Sequence, residues 1–540
     1  MTDPEDRTEV ERQSGAFDRR GFMRRAVGAE LALMGLGGGV GAAVSRAAVA
    51  RSAASPRRGG TIRVGCIGNG TSETYNPGLA NAPIDALRVF SVFDPLVRLG
   101  PRFDQQPGLA VDWVPNAAGT VWEIHLRQGV HWHDGKPFTA DDVIYTFRWR
   151  GKPGNLGQSG VSAVRLHDLK KLGKYVVQVP LTRPVTRLSD YMLDNLTSIV
   201  VQNGATDFSK PIGTGAFLPQ SFTPGQQSVG VRNPNYWDHG KPYVDEFQLT
   251  SLTDPVAGVN ALAAGQLDAV YPVPFPIAKA HQAQPGGYEL NLQIGGFAQT
   301  IYMRTDTAPF NDPRVRLAMK LIPDRPQMID VALSGFGQPG NDLFGFGLPD
   351  YASHIPQRTQ DLEQAKSLLK SAGRSGLNVI LYTSTALPGL TDAATVFAQQ
   401  AKGAGVTVQT QVVPPAAYFN PTLRFLKMPF AQDSWQVPAL GPVYNEAVVT
   451  GGSYNESHES DKITDKLVES AEATLDSKQA AQLWQQAQER FWKSEGHSGG
   501  HIIWGLRHSV TGRSSNVMGM APGWYLPLGD MKVWDWWLAS

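Results

Sequence analysis

The sequence predicts an α/β protein with room for more than one core, and three observations lead there. The chain has 540 residues, of which 41% are hydrophobic and 18% charged. That is an ordinary globular composition at a length sufficient for two or three domains. In the stretch from Pro107 to Trp149, Trp122, Ile124 and Leu126 alternate with Glu123, His125 and Arg127, the period of a half-buried strand. From Ile301 onward strands alternate with helices, and Asn378 to Thr383, a helix through Ala401, and Val406 to Val413 make a strand–helix–strand unit.

The elements follow in chain order. Thr61 to Val64 reads as a short strand after a Pro/Gly/Arg linker, and Asp85 to Phe93 as a helix. After the strand at Trp122, Gln128-Gly129 signals a turn, Val130 to His133 resumes the alternation, and Asp134-Gly135 turns again. This predicts a hairpin feeding a helix. Thr139 is the natural N-cap, with Asp141 and Asp142 in the first turn as capping charge and Val143, Ile144 and Phe147 on the apolar face. Residues 161–169 and 174–181 read as two strands joined by a turn at Lys171 to Lys174. Val315, Ala318, Met319 and Ile322 lie at helical spacing, and Pro323 and Pro326 end that helix near Ile322. A second helix then starts near Pro326, with Asp324 or Arg325 at its entry. Leu362, Ala365, Leu369 and Ala372 form a helix stripe closed by Gly373. Asp476 with Gln479 reads as a capping box for a helix whose apolar face is Ala480, Leu483, Trp484, Ala487 and Phe491. The tail, with Trp524, Trp534, Trp536 and Trp537, has little helical periodicity and reads as strand and loop.

Composition also excludes several function classes. The formal net charge is +1, without the basic excess of a nucleic-acid footprint. One cysteine, Cys66, rules out an internal disulfide. There is no phosphate-binding glycine loop, zinc-protease motif or nucleophile elbow, and no cofactor is expected. His131 and His133 could face one side of a strand, but a zinc site needs further ligands at suitable spacing, and no metal is expected. His497, His501 and His508 read as surface or packing residues. At the N-terminus, Arg19-Arg20-Gly21-Phe22-Met23-Arg24 resembles a twin-arginine export motif, with Asp18 where Ser or Thr is usual. An uncharged Gly/Ala-rich stretch and Ala48-Val49-Ala50 follow as a small-residue cleavage site. The apolar stretch is short for a membrane span, and Cys66 lies outside a lipidation context.

Several blocks carry a resemblance. PGLAVDW at 107–113 and LRQGVHWHDGKPFTADDVIYTF at 126–147 resemble the signature region of the family 5 extracellular solute-binding proteins, the receptors of oligopeptide, dipeptide and nickel ABC importers. GGTIRVG at 59–65, RNPNYW at 232–237, KPYVD at 241–245, ALAAGQLDAV at 261–270 and PFNDPRVR at 309–316 extend it over nearly the whole mature chain. PIGTGAF at 211–217 has Ala216 in place of the family's usual proline, and its two glycines suit closely packed backbone. The resemblance implies a two-lobe periplasmic-binding-protein type II fold with an extra subdomain in lobe I. By that likeness residues 1–50 are the twin-arginine signal peptide and 51–294 lobe I, with the subdomain at about 91–206. Lobe II is then 295–500, and 501–540 return to lobe I.

The function implied is capture of a peptide-like or other small polar solute between the lobes and delivery to a membrane permease. The protein would be a periplasmic monomer exported by the twin-arginine translocase, with neither nucleic acid nor catalysis involved. A secreted hydrolase and a non-transport peptide-binding sensor or holdase are the alternatives. The stretch Phe430 to Pro442 aligns by resemblance with the family's second-lobe cleft segment. Peptide receptors carry there a carboxylate for the peptide's α-amino group, yet no Asp or Glu lies between Trp435 and Tyr444. Trp435 is therefore the candidate for stacking on the ligand, with Tyr75, Tyr302 and Arg304 as further candidates and Asp433 as a substitute carboxylate.

Overall fold

A computed structural model of the chain describes residues 55–100, 104–192, 198–419, 426–523 and 526–539. The twin-arginine motif, the cleavage site and Trp524 lie outside them. The architecture is α/β. Elements near the N-terminus are β1 (Thr61–Ile67), α1 (Pro83–Val92), β2 (Ala110–Pro115), β3 (Val121–Leu126) and α2 (Ala140–Arg150). There follow β4 (Lys170–Gly173), β5 (Val176–Pro180), α3 (Leu188–Met192), β6 (Phe217–Thr223), β7 (Gln227–Arg232) and β8 (Glu246–Leu252). Next come α4 (Pro255–Ala263), β9 (Ala269–Tyr271), α5 (Phe275–Ala283), β10 (Glu289–Met303), α6 (Pro313–Leu321), α7 (Arg325–Ala332) and β11 (Gly337–Pro339). The remainder is α8 (Leu362–Ser371), β12 (Asn378–Thr383), α9 (Leu390–Gly403), β13 (Thr407–Val412), β14 (Phe430–Gln436), α10 (Leu440–Ala447), α11 (Lys462–Ala473), α12 (Ser477–Lys493) and β15 (His501–Arg513).

The main sheet runs β13-β12-β14-β10-β15-β9-β1-β8-β7-β6, with β11 added on β15. Its centre is the antiparallel pair β10/β15, the two longest strands, of 15 and 13 residues. β10 carries β14 on its far side, and β15 carries β9. A register shift between Gln293 and Phe297 breaks the β10/β15 ladder where the chain passes from the β9 side to the β14 side. Such a bulge bends a strand and raises its twist. One apolar cluster around Ile301, Met319, Phe397 and Trp504 packs α6, α7 and α9 on the β14 side. Another around Val259, Leu262, Val270 and Val510 packs α4 and α5 on the β9 side.

A separate four-stranded sheet, β2-β3-β5-β4, holds the signature stretch. Trp122, Ile124 and Leu126 are its buried row, as the alternation predicts. The hairpin partner differs from the expected one. β3 pairs with β2 and β5, and 130–133 contributes only the bridge His131–Pro137. Trp132 and Phe138 instead turn inward edge to face at 6.2 Å. The expected strand at 161–169 is also absent; its place in the ladder is taken by Lys170–Gly173, the residues read as a turn. Val161, Ala163, Val164 and Leu169 are buried without a ladder, which is why their pattern looked like a strand. α2 begins as read: Thr139 Oγ1 accepts from the Asp141 amide, and Asp142 reaches back to the Thr139 amide at 2.8 Å. Asp324, Asp361 and Asp476 cap α7, α8 and α12 by accepting the N3 amide alone, so Asp476 with Gln479 is a one-way cap and not the expected capping box.

His133 proves to be a backbone clamp. Its Nδ1 accepts from the Gly213 amide at 3.3 Å, so Nε2 carries the proton donated to Gly215 O at 3.1 Å. The segment it holds lies against the end of α1, where the Gly215 amide donates to Val92 O at 2.8 Å. The tail, read as strand and loop, holds a helical turn at Pro527–Asp530 and a 3-10 turn at Val533–Asp535 and contacts residues from earlier in the chain. Arg98 is sandwiched between Trp237 and Trp534 at 4.5 Å from each ring, and Lys241 pairs with Asp535 at 2.7 Å.

Between the four-stranded sheet and the β14 side runs a polar seam. Thr186 donates through its amide and hydroxyl to Glu472 O, Arg183 and Tyr191 meet the Glu472 carboxylate, and Arg187 joins Asp190 to Asp350. Burial pushes the Asp190 carboxyl up to about 6; Arg187 favours its ionised form, and Asp350 and Glu472 oppose it.

Two predictions follow from these contacts. A Cβ on Gly213 would stand 1.8 Å from Val92 O and 2.6 Å from Val92 C, backbone atoms that cannot swing aside. Gly213→Ala should cost about 3 kcal/mol or more in urea unfolding, whereas Gly173→Ala, with nothing within 4 Å, should cost under about 1 kcal/mol. Asp190 keeps its proton in the folded state up to about pH 6, while in the unfolded chain it ionises near ~3.9. The folded state binds the extra proton between these values, so stability falls as pH rises through that window, by up to about 3 kcal/mol. Asp190→Asn should flatten that part of the stability–pH curve, and an unchanged slope between pH 4 and 6 would contradict the assignment.

Candidate functional site

The site is built on the central strands. β14 lies antiparallel to β10 with Trp435 opposite Ala298, Asp433 opposite Thr300 and Ala431 opposite Tyr302. Opposed residues share a face and alternate residues return to it, so Trp435, Asp433 and Tyr302 look out on one side. Beneath them sits a buried network. Trp435 Nε1 donates to Glu456 Oε1 at 3.0 Å, and His501 Nε2 meets the same oxygen at 3.0 Å. His501 Nδ1 lies 3.4 Å from Glu459 Oε1. Glu459 also accepts the Gly499 and Gly500 amides at 2.9 Å, which ties the loop before β15 to the network.

Electrostatics assigns the protons. Burial works against an imidazolium at His501, but Glu456 and Glu459 outweigh it and raise its basicity. Burial pushes the Asp433 carboxyl far above the usual carboxylate range, and the neighbouring Glu456 carboxylate pushes the same way. Both effects disfavour an ionised Asp433. The arrangement has no acid–base pair with a reacting centre between its members; it holds Trp435 by the indole N–H. Phe344 meets that ring edge to face at 5.9 Å and Tyr454 at 6.4 Å, and the ring remains half-buried.

The five residues read from the sequence thus divide. Trp435, Asp433 and Tyr302 are brought together, although Tyr302 is fully buried and serves as a wall of the network. Arg304 lies at the other end of the ladder, its amide on Pro429 O, roughly 20 Å along the strand from Trp435 at ~3.4 Å per residue. There it pairs with Asp306 at 2.7 Å, and that guanidinium holds the Asp306 carboxyl down at about 2. Tyr75 is core: Phe222 meets it edge to face at 5.0 Å and the Arg88 guanidinium lies 5.6 Å from its ring centre. An arginine and a tyrosine with those neighbours have no free group for a ligand.

Sequence reasoning passed over Glu456, His501 and Arg507. His501 was read as surface or packing and is instead fully buried between two glutamates. The signal for Arg507 was present: it is the one cation within the apolar run from Ile502 to Val510. Among the described residues no group of His, Cys, Asp and Glu is arranged to hold a metal ion. Nor, among them, is any helix long and apolar enough to cross a membrane.

Comparison with known proteins agrees with this architecture. The family model of the bacterial extracellular solute-binding proteins, family 5, matches residues 104–452. The oligopeptide-binding protein AppA of Bacillus subtilis is 23% identical over 537 residues, covering 93% of this chain and 95% of its own length. The periplasmic binding protein DppA of Helicobacter pylori, solved with the peptide STSA, superposes with a TM-score of 0.74 at 20% identity, over 90% of this chain and 99% of its own. The substrate-binding protein CtaP of Listeria monocytogenes does so with a TM-score of 0.77 at 19% identity, over 90% and 100%. The fold is accordingly the two-lobe type II fold of periplasmic binding proteins. With the family model covering more than half of its length, the chain belongs to the family 5 extracellular solute-binding proteins.

Proposed function

We propose that this chain is the extracytoplasmic receptor of an ABC importer, capturing a small polar solute between two lobes and delivering it to the membrane permease. The observation that carries the reading is the crossing pair β10/β15, whose ladder breaks between Gln293 and Phe297. The register shifts again between Gln299 and Thr300; a pair of strands that joins two packed bodies and is interrupted in this way is a hinge, and ligand binding shifts the population toward the closed form. The lobes are assigned as 51–294 with 501–540, and 295–500. The polar seam from Arg183, Arg187 and Tyr191 to Asp350 and Glu472 then belongs to the closed form. Relatives named for oligopeptide and peptide binding support a peptide-sized ligand. Among the described residues none favours the alternatives of a hydrolase or a sensor.

The ligand we infer is not an ordinary free peptide. A buried ammonium needs a paired anion. The segment after Trp435 offers no carboxylate before Glu446, and burial together with the nearby Glu456 disfavours an ionised Asp433. A blocked or modified peptide, a sugar-like solute or another small polar compound fits better, stacked on Trp435. Export is assigned to the twin-arginine route from Arg19 and Arg20.

Calorimetry with unmodified di- to pentapeptides should find no binding tighter than about 10 μM. Trp435→Ala should weaken whichever solute does bind by about tenfold or more, the worth of one good aromatic contact. Micromolar binding of several free peptides, retained in Trp435→Ala, would sink both halves. Replacing Arg19 and Arg20 together by Lys should leave the precursor inside the cell; full delivery of mature protein would reject the route.

A further inference from the structure

The crossing holds a second group of polar side chains, separate from the Trp435 network. Arg507 is 8% exposed and lies on β15 opposite Phe297, whose ring its guanidinium covers at 4.4 Å. Ser509 shares that face two residues on, opposite Gln293. The Tyr271 hydroxyl comes within 3.5 Å of Ser509 Oγ and hydrogen-bonds the Arg507 guanidinium. Every other fully buried arginine among the described residues is compensated. Arg88 meets Glu73 and Asp85, Arg325 and Asp342 form a pair that Arg358 joins, and Arg150 and Arg316 each face several carbonyls. Arg507 faces a phenyl ring and a phenol instead. Gln293, 3% exposed, has neither its amide nitrogen nor its oxygen bonded.

A guanidinium taken out of water without an anion is among the costliest arrangements in a protein interior, and an aromatic face offsets only part of it. A buried primary amide with both ends unmade adds to that cost. Both stand on one face at the strand crossing, opposite the face that carries Trp435 and Asp433, so this group is independent of the stacking on Trp435. Resting on the receptor reading, we infer that Arg507 anchors an anionic subsite. It takes a carboxylate of the transported solute through its forked N–H groups, with Gln293 and Tyr271 as flanking hydrogen-bonding groups. A fork of two parallel N–H groups matches the two oxygens of a carboxylate. The ligand class is then an acidic one: a sugar acid, a dicarboxylate or an N-blocked peptide.

The test uses thermal shift on the full mature protein with paired probes: gluconate, succinate, glutarate and N-acetylated dipeptides, each against its amide. At least one carboxylate should raise the wild-type melting temperature by more than about 2 °C while its amide does not. Arg507→Met should abolish that shift and leave the ligand-free melting temperature equal or higher, because it removes an uncompensated charge. Arg507→Lys should retain part of the response, and Gln293→Leu should diminish it. A ligand-free melting temperature several degrees lower in both Arg507 variants would make the residue structural and overturn the proposal. So would equal shifts by acid and amide, or no shift by any carboxylate. If amides bind wild type and Arg507→Met alike, the receptor reading stands and the carboxylate subsite falls.

Discussion

The structure depends on the pairing of two long strands. β10 and β15 give the main sheet its continuity, since β14, β12 and β13 reach β9 and β1 only through them. A ladder of this length fixes register strongly, because a slip of one residue would move every buried side chain to the other face. The bulge at Gln293–Phe297 is where that demand is relaxed. On either side helices cover the sheet with their own apolar clusters. The result is two packed bodies with a shared, bent spine, and the polar groups that matter for recognition lie along that spine or beside it.

Charge is distributed accordingly. Buried ions away from the crossing are neutralised locally, as in the Arg325–Asp342–Arg358 group and the Arg88–Glu73–Asp85 group. Such groups resist disruption, because breaking one pair strands the other charge. The Glu456–His501–Glu459 network belongs to the same class. It holds Trp435 and the loop before β15 in place. Arg507, whose guanidinium faces the Phe297 ring, sits on the spine.

Much of the fold was legible in the sequence because local rules agreed with the tertiary outcome. The Thr139 cap, the break at Pro323 with Asp324 capping the next helix, and the strand at Asn378 to Thr383 all fall where the residues put them. The errors share a cause. Residues 130–133 and 161–169 bury alternate side chains without joining a ladder, and periodicity reports burial, while ladder membership is set by distant partners. The site was legible only as far as one strand carries it. Trp435 and Asp433 sit on β14, but Glu456, His501 and Gln293 reach them or the crossing from other parts of the chain. Arg304 and Tyr75 looked available because their partners, Asp306 for one and Phe222 with Arg88 for the other, are revealed by folding.

The central claim is that the two bodies move about the β10/β15 crossing. Cys66 is buried, so introduced cysteines can carry spin labels selectively. Val256 and Ile380 are exposed on opposite sides of the crossing, and Ile380 and Ile463 lie on one side of it. Dipolar distance measurement on the ligand-free protein should give a broad or two-peaked distribution for Val256→Cys with Ile380→Cys. Ile380→Cys with Ile463→Cys should give a single narrow peak, and a solute found by screening should collapse the first distribution onto its shorter distances. A narrow distribution across the crossing, unchanged by a bound solute, would contradict the account.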